Sequence, residues 1–295
     1  MMDDASQRER ISRLVFAAPA LSEALMSGNF RSAFKGRGMD FDSIREYEVT
    51  DDALRIDWNA TARFGRPFVK TYMDDRDLSL YLIVDESASM NCGTGRTKHE
   101  TASLAASLLA YACSLNGVRV GACFFGGTVE LDSRAPQGGQ RAALALMERC
   151  ASGPGADGRH AGSDLAGALA AAASVLKRRS LVLVIGDFLT TGYALPLALL
   201  ARRNDVIAIR VHDPIDAAPP ETTLSIRAGD SESGVPRLVV PRSRAYRDER
   251  SRFAKAARLE WLVALSASRV PYLEMDASTD PVDALVTFFG RRRSA

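Results

Sequence analysis

The sequence has few of the side chains from which zinc sites and redox centres are built. It contains four cysteines and three histidines in 295 residues. The cysteines form no C-x-x-C pair and the histidines no H-E-x-x-H spacing, so the usual patterns of these sites are absent. Cys113 and Cys123 lie in apolar segments, where cysteine usually acts as a small buried side chain. We therefore expect neither disulfides nor a histidine-based metal site.

A strong excess of charge and a long apolar run are also missing. The net charge is +2, whereas nucleic-acid-binding domains usually show a larger, clustered basic excess. The most apolar segment, 101–118, contains three serines and an asparagine and is too polar to span a bilayer. The start, MMDDASQRER, carries acids where a signal peptide needs cations. These features predict a cytoplasmic protein with no membrane span and no nucleic-acid partner.

From Ser79 onward, short apolar segments alternate with longer helical patterns. This alternation predicts a Rossmann-like α/β fold of three layers, with a mostly parallel sheet between two layers of helices. The predicted strands are 80–84, 118–125, 181–185, 206–211 and 272–275, with a short edge strand at 128–131. The predicted helices are 97–115, 140–150, 164–177, 194–203, 242–266 and 281–291.

Two segments depart from the alternation. Residues 1–78, with a helix predicted at 6–27, are interpreted as a helical and β-rich extension packed on the core. No Pro/Ser-rich linker separates them from the α/β domain at 79–295. Residues 221–240 contain two short β-like pieces separated by RAGDSESGVP, whose glycines suit turns. We interpret this segment as a β-hairpin insertion.

A carboxylate and two hydroxyls follow the first predicted strand, in the segment LYLIVDESASM. They form the pattern Asp85-x-Ser87-x-Ser89. Ligands of an open parallel sheet gather beyond the carboxyl ends of its strands. Ser163, at the start of a predicted helix, and Asp187, after the apolar strand LVLVI, are expected at the same edge. Two carboxylates and three hydroxyls form an oxygen donor set that suits a hard cation such as Mg²⁺ or Mn²⁺.

The charge of this donor set has a consequence for function. Two carboxylates only neutralise a divalent ion, and hydroxyls add no charge. The ion should therefore stay electrophilic enough to accept a carboxylate from a partner protein. Each residue also has a structural interpretation: the serines as helix caps, and Asp187 as a turn residue. Glu86 and Asp164, which lie between the proposed ligands, are expected to face solvent or to cap a helix.

The D-x-S-x-S motif, the segment GSDLAGAL and the aspartate after an apolar strand resemble the metal-ion-dependent adhesion site of the von Willebrand factor type A domain. In that family the serines coordinate the metal directly, and the aspartates act directly or through water. Ser163 stands where the family usually has threonine, and Phe188 where it often has glycine. The resemblance implies a von Willebrand factor A-type fold and assigns the metal ligands as Asp85, Ser87, Ser89, Ser163 and Asp187.

The upstream segment resembles the signature that precedes the type A domain in bacterial proteins of the domain-of-unknown-function family 58. The matching positions are Gly36, Gly38, Phe41, Arg45, Tyr47, Asp52, Arg55, Ile56, Asp57, Trp58, Ala62 and Arg63. The resemblance extends from Gly36 to Arg293. Members of this family typically accompany MoxR-type AAA+ ATPases in chaperone-like assembly or metal insertion. It therefore implies a metal-dependent protein-interaction module, not an enzyme, with such an ATPase or its client as partner.

Two other functions remain open on the residues alone. A metal-dependent hydrolase or phosphoryl-transfer enzyme would use the same ion as a Lewis acid. Against it, no histidine, lysine or cysteine is expected near the sheet edge as a base, and the G-x-S-x-G pattern is absent. The segment CGTGRTK also lacks the phosphate-loop pattern, because Lys98 follows a threonine and not a glycine. The other alternative is a scaffold that binds metal weakly or not at all.

Overall fold

The computed structural model of the chain describes residues 18–25, 40–48, 56–73, 79–127, 132–153, 162–217, 226–229, 236–239 and 243–291. The chain divides into two compact units, which are Phe34–Leu78 and Met1–Ala33 together with Ser79–Ala295. Several predicted features lie outside the described residues, namely most of the helix at 6–27, the strand at 128–131, and the positions Gly36, Gly38, Asp52 and Arg55.

Strands and helices alternate through most of the described chain. The strands are β1 (Asp40–Glu46), β2 (Phe68–Met73), β3 (Ser79–Asp85), β4 (Arg119–Phe125), β5 (Asp132–Gln137), β6 (Leu181–Gly186), β7 (Asp205–His212), β8 (Ile226–Gly229), β9 (Pro236–Val239) and β10 (Tyr272–Asp276). The α-helices are α1 (18–25), α2 (Trp58–Phe64), α3 (Lys98–Ser114), α4 (Gln140–Ser152), α5 (Leu165–Val175), α6 (Ala194–Arg203), α7 (Arg244–Ser268) and α8 (Pro281–Arg291). Short 3-10 turns lie at Ala88–Asn91 and Pro214–Asp216.

The larger unit is built on a six-stranded sheet of order β10-β7-β6-β3-β4-β5. All its neighbouring pairs are parallel except β4 and β5. The chain runs outward from β3 to β4 and β5, then returns to β6 on the other side of β3. The strand order therefore reverses between β3 and β6, which is where an open α/β sheet forms its ligand crevice. The predicted α/β fold with a mostly parallel sheet is confirmed.

Both faces of the sheet are covered. Tyr81 and Ile83 of β3 pack into one apolar core with residues of α5, α6 and α7, including Trp261. Side chains alternate between the faces of a strand, so the equally buried Leu82 and Val84 face the other way. On that face α3 contacts β3, β4, β6 and β7. The continuous apolar run of β3 is therefore explained by burial on both sides.

A capping box determines where α3 begins. The Thr97 hydroxyl accepts a hydrogen bond from the Glu100 backbone N–H at 3.1 Å, and the Glu100 carboxylate accepts one from the Thr97 N–H at 3.0 Å. This reciprocal pair satisfies two of the free N–H groups at the helix start. Lys98 is consequently the first residue of α3.

The described part of the smaller unit contains a pair of strands and, between them in the chain, one short helix. Strands β1 and β2 pair antiparallel, with a register shift between Phe41 and Ser43. Asp57 caps α2 by accepting hydrogen bonds from the N–H groups of Asn59 and Ala60 at 3.0 and 3.3 Å. Elsewhere, β8 and β9 also pair antiparallel, within the segment predicted as a hairpin insertion. None of the described helices is long and apolar enough to cross a membrane.

Glu274 of β10 joins the edge of the sheet to α7. Its carboxylate accepts hydrogen bonds from Arg258 at 2.8 and 2.9 Å and from Arg210 at 3.2 Å. The hydrogen bonds from Arg258, aided by the charge of both guanidinium groups, hold the pKa of Glu274 below its usual 4.5. Ionised Glu274 therefore stabilises the fold above the unfolded-state pKa, and this contribution is lost as pH falls through the lower folded-state pKa.

We expect Glu274→Gln to lower the free energy of unfolding by about 1 kcal/mol at neutral pH, as for a partly exposed ion pair. The difference from wild type should shrink as pH falls below about 4. Urea denaturation across this range measures it, with Glu249→Gln on the exposed side of α7 as the control. A difference that stays constant with pH would show that charge is not its cause.

Candidate functional site

The candidate site lies at the point where the strand order reverses. Asp85 is the last residue of β3 and Asp187 directly follows β6, and both carboxylates are buried, at 2% exposure each. Gly186 allows this approach, because a Cβ at that position would lie 2.8 Å from the Cβ of Asp85. The sheet edge predicted from the sequence therefore does bring the two acids together.

The loop after β3 brings the hydroxyl of Ser87 to Asp85 and that of Ser89 to Asp187. The Ser87 backbone N–H donates to Asp85 Oδ1 at 2.8 Å, and the hydroxyls of Ser87 and Ser89 are 3.1 Å apart. Ser87 precedes the 3-10 turn at Ala88–Asn91, but its side chain makes no capping hydrogen bond. The Ser87 side chain therefore does not cap this turn, and its hydroxyl contacts the Ser89 hydroxyl and the Asp85 carboxylate instead.

The second loop adds one more hydroxyl. Asp164 is the N-cap of α5, since its Oδ1 accepts from the Gly167 N–H at 2.8 Å. The expectation that Asp164 caps a helix is confirmed, and the cap is not Ser163. The Ser163 hydroxyl instead donates to Asp85 Oδ2 at 3.4 Å. Thr190, in the loop after β6, connects that loop to the start of α5 by donating a hydrogen bond to the Ser163 carbonyl at 2.9 Å.

The third loop holds Asp187 in an unusual backbone turn. Phe188, where glycine is common in the resembling family, has φ = 55°. Glycine adopts this left-handed conformation readily, whereas a bulky residue needs compensation. Here the phenyl ring is buried, with its centroid 5.9 Å from that of Tyr193 and 5.6 Å from that of Trp261. Arg210 adds a hydrogen bond to the Asp187 carbonyl at 3.2 Å.

Lys98 also lies at this edge, which corrects the expectation that no lysine is near it. Its ammonium donates to Asp187 Oδ2 at 2.9 Å and to the two oxygens of Asp216 at 2.9 and 3.1 Å. Burial disfavours the charged lysine, but the two carboxylates outweigh this and raise its pKa above 10.5. The capping box at Thr97 was the one sequence signal that could have placed Lys98 in the first turn of α3.

Asp216 is the second residue that the sequence did not point to. It belongs to the turn Pro214–Asp216, which Asp213 caps by accepting from the Ile215 N–H at 2.8 Å. Asp213 also accepts hydrogen bonds from the N–H and the hydroxyl of Thr94, at 2.9 and 3.1 Å. The loop after β3 and the loop after β7 are therefore connected through this turn.

Asp85 has no ion-pair partner among the residues that the structure describes. Its burial and the nearby charge of Asp187 raise its pKa to about 7. By contrast, Asp187 is also buried, but the ammonium of Lys98 keeps its pKa below the usual 3.8. When ionised, the three carboxylates of Asp85, Asp187 and Asp216 against one ammonium leave two negative charges. One divalent cation would balance them.

The donor atoms fit a hard cation. Within the described residues, no three histidine, cysteine, aspartate or glutamate side chains converge as a metal-binding group. The candidate set has two carboxylates and takes its other three ligands from serine hydroxyls, an oxygen chemistry suited to Mg²⁺ or Mn²⁺ and not to zinc. The residues present thus fit the ion that the resemblance implies.

Glu86, the acid next to Asp85, does not belong to the site. Its carboxylate accepts two hydrogen bonds from Arg149, both at 2.8 Å. Glu86 is only 7% exposed, so the expectation that it faces solvent or caps a helix is wrong.

An apolar groove of about 1200 Å³ lies elsewhere, between α7, α8 and β10, and none of the five candidate ligands lines it.

Comparisons with known proteins identify relatives along nearly the whole chain. The sequence is 30% identical over 297 residues to "Uncharacterized protein Rv1480" of Mycobacterium tuberculosis, covering 99% of this chain and 92% of that protein. It is also 30% identical over 131 residues to "Uncharacterized protein MAV169" of Mycobacterium avium, covering 44% and 76% of the two chains.

Among solved structures, the chain is similar to the conserved hypothetical protein BatB from Bacteroides thetaiotaomicron. The sequence identity is 16% and the TM-score 0.47, over 74% of this chain and 100% of that one. It is also similar to the manganese-loaded TRAP protein of Plasmodium vivax, with 18% identity and a TM-score of 0.31, over 45% and 57%.

The family assignment rests on the sequence matches. Residues 43–260, well over half of the chain, match the family described as "Protein of unknown function DUF58". This range includes the five candidate ligands together with Lys98 and Asp216. With a relative that is 30% identical across 99% of the chain, the protein is thus a member of the DUF58 family.

Proposed function

We propose that this protein is a cation-dependent protein-interaction module. Asp85, Ser87, Ser89, Ser163 and Asp187 would hold one Mg²⁺ or Mn²⁺ ion, and the ion would accept a carboxylate from a partner protein. The observation that carries the proposal is Asp85, a buried carboxylate with no ion-pair partner among the described residues. Leaving a carboxylate charged and unpaired in the interior is costly, and a bound cation removes that cost.

The residues around Asp85 have separable tasks in this proposal. Ser87 and Ser89 present neighbouring hydroxyl oxygens on the first loop. Ser163 brings a third hydroxyl from the start of α5, and Asp187 supplies the second carboxylate after β6. The ion supplies a positive charge that can bind the partner's acid. Gly186 and the buried ring of Phe188 keep the two acids in place.

We propose binding and not catalysis as the role of the site. Lys98 is the basic side chain nearest to Asp187, and it is held protonated between two carboxylates. A protonated amine is neither a general base nor a nucleophile. The Ser87 hydroxyl contacts the hydroxyl of Ser89 and also hydrogen-bonds the Asp85 carboxylate, which this proposal assigns to the cation. The hydrolase remains the alternative that a turnover assay would test.

The proposed partner is a MoxR-type AAA+ ATPase, or a client protein that such an ATPase acts on. The family resemblance supports this choice, and the expected activity is chaperone-like assembly or maturation of client proteins. The negative charge of a partner aspartate or glutamate would complete the coordination of the ion.

Binding of the purified ATPase with and without chelator tests this proposal. We expect wild-type protein to retain the ATPase in Mg²⁺ and to release it in EDTA, whereas Asp85→Asn should not bind in either condition. Asp164→Asn is the matched control, because Asp164 is a neighbouring acid that only caps α5, and asparagine is an equally good cap. Binding that survives both EDTA and Asp85→Asn would reject cation-dependent recognition.

A further inference from the structure

The candidate site contains a buried positive charge that cation binding does not require. Lys98 is 0% exposed, and its ammonium lies 2.9 Å from Asp187 Oδ2, an atom of a proposed ligand. A metal ion at the same site would repel this ammonium. Lysine is almost never fully buried unless it is paired, so the position of Lys98 calls for a physical explanation.

Lys98 changes what Asp187 can offer to a cation. Asp187 Oδ2 accepts from Lys98, and Asp187 Oδ1 accepts from the Leu189 N–H at 3.1 Å. Both carboxylate oxygens are therefore engaged before any cation binds. Asp85 differs in the charge of its donors, since its oxygens accept from the neutral Ser87 N–H at 2.8 Å and from the Ser163 hydroxyl at 3.4 Å. The two acids of the site thus are not equivalent: only Asp187 is paired with the ammonium of the lysine.

Asp216 limits the effect of Lys98 on Asp187. Both oxygens of Asp216 contact the ammonium, at 2.9 and 3.1 Å, against one oxygen of Asp187. Asp216 is itself fixed, because its Oδ2 also accepts from the Asp213 N–H at 3.2 Å. Without Asp216, the whole charge of Lys98 would act on Asp187, and the site would keep one net negative charge in place of two.

We infer that Lys98 and Asp216 form a built-in pair that sets the cation affinity of the site. Lys98 competes with the cation for Asp187, and Asp216 draws the ammonium toward itself and restores part of that affinity. Both are positioning residues, since they act through Asp187 and need not touch the ion. The inference rests on the proposed function and adds how strongly the site holds its ion.

Opposite changes in affinity are the signature of such a pair. Removing a charge a few ångströms from a buried ion changes its binding strongly, so we expect Lys98→Met to bind Mn²⁺ about tenfold or more tightly. For the same reason Asp216→Asn should bind Mn²⁺ about tenfold or more weakly. The double variant Lys98→Met/Asp216→Asn should lie between the two. A merely structural role would weaken binding in every variant.

The dissociation constant of Mn²⁺, measured from the electron paramagnetic resonance signal of the free ion, tests the inference. Arg179→Met is the matched control, because it breaks an ion pair with Asp205 at the opposite edge of the sheet. Lys98→Met is replaced in this test if it does not fold without metal. The double variant, which removes one charge of each sign, is then compared with Asp216→Asn, and the difference in their dissociation constants reports the effect of Lys98.

The possible outcomes separate the two levels of the proposal. Tighter binding by Lys98→Met, or by the double variant relative to Asp216→Asn, together with weaker binding by Asp216→Asn, supports the inference. If wild type binds Mn²⁺ and the variants have the same dissociation constant as Arg179→Met, the inference is overturned. The same holds if every variant binds Mn²⁺ more weakly than wild type. In both cases the proposed function still stands. Absence of Mn²⁺ binding by wild type overturns both.

Discussion

Asp85→Asn is expected to stabilise the metal-free protein while abolishing its response to Mg²⁺. The wild-type carboxylate is buried beside Asp187 with no ion-pair partner among the described residues, so its charge opposes folding when no cation is bound. Asparagine keeps the oxygen that accepts from the Ser87 N–H and removes this charge. We expect a gain of about 1–2 kcal/mol in the free energy of unfolding above about pH 7, because a carboxylate whose pKa is raised by folding destabilises the fold where it is ionised.

Chemical denaturation in EDTA and in Mg²⁺ measures both halves of this prediction. A ligand that binds only the folded state stabilises it, by about 2.7 kcal/mol at a hundredfold excess over the dissociation constant. Wild type should show such an increase, and Asp85→Asn should show none. Asp164→Asn is the control and should respond to Mg²⁺ as wild type does. Destabilisation of the metal-free Asp85→Asn variant would mean that the Asp85 charge is already compensated inside the fold.

Of the proposed variants, Trp261→Ala is expected to lose the most stability. It should also weaken cation binding, although Trp261 is not one of the proposed ligands. The indole is fully buried, with its centroid 5.6 Å from the Phe188 ring. The Arg210 guanidinium lies 5.7 Å from the indole ring and also bonds the Asp187 carbonyl. Removing the indole leaves a cavity that costs about 3–5 kcal/mol. It also removes the packing that holds Phe188 in its left-handed conformation, so Asp187 loses its fixed position.

Leu259→Ala on the same helix is the matched control for Trp261→Ala. Leu259 is 64% exposed, and truncation there should change the free energy of unfolding by no more than about 0.5 kcal/mol. Thermal unfolding reports the stability, and Mg²⁺-dependent stabilisation of the folded variant reports the site. If Trp261→Ala loses stability but keeps the full response to Mg²⁺, the packing under Phe188 does not position Asp187.

The sheet could be predicted from the sequence because its strands are buried on both faces. The continuous apolar runs of β3 and β6 fit strands that are covered on both faces, and an acid stands at the end of β3 and directly after β6. Parallel strands end at one edge, so Asp85 and Asp187 had to lie near each other. The helix predicted at 97–115 corresponds to α3, whose start is determined by hydrogen bonds between Thr97 and Glu100 that the structure shows.

The charge pairs of the site could not be predicted in the same way. Lys98 and Asp216 are 118 residues apart, and Glu86 and Arg149 are 63 apart. Such contacts depend on how whole elements pack, and no local pattern encodes them. The prediction for Glu86 failed for the same reason. Glu86 points away from the site, but there it pairs with Arg149 inside the protein instead of facing solvent. Composition alone could not decide whether Ser163 or Asp164 caps α5, because both are good capping residues. The structure shows that Asp164 is the cap.

The number of Mn²⁺ ions bound per wild-type chain tests the account most directly. It can be measured by titrating Mn²⁺ into metal-free protein and following the resonance signal of the free ion, with Asp85→Asn titrated in parallel. One ion bound per chain in wild type and none in Asp85→Asn is the predicted result. Equal titration curves for the two proteins would contradict a cation site at Asp85.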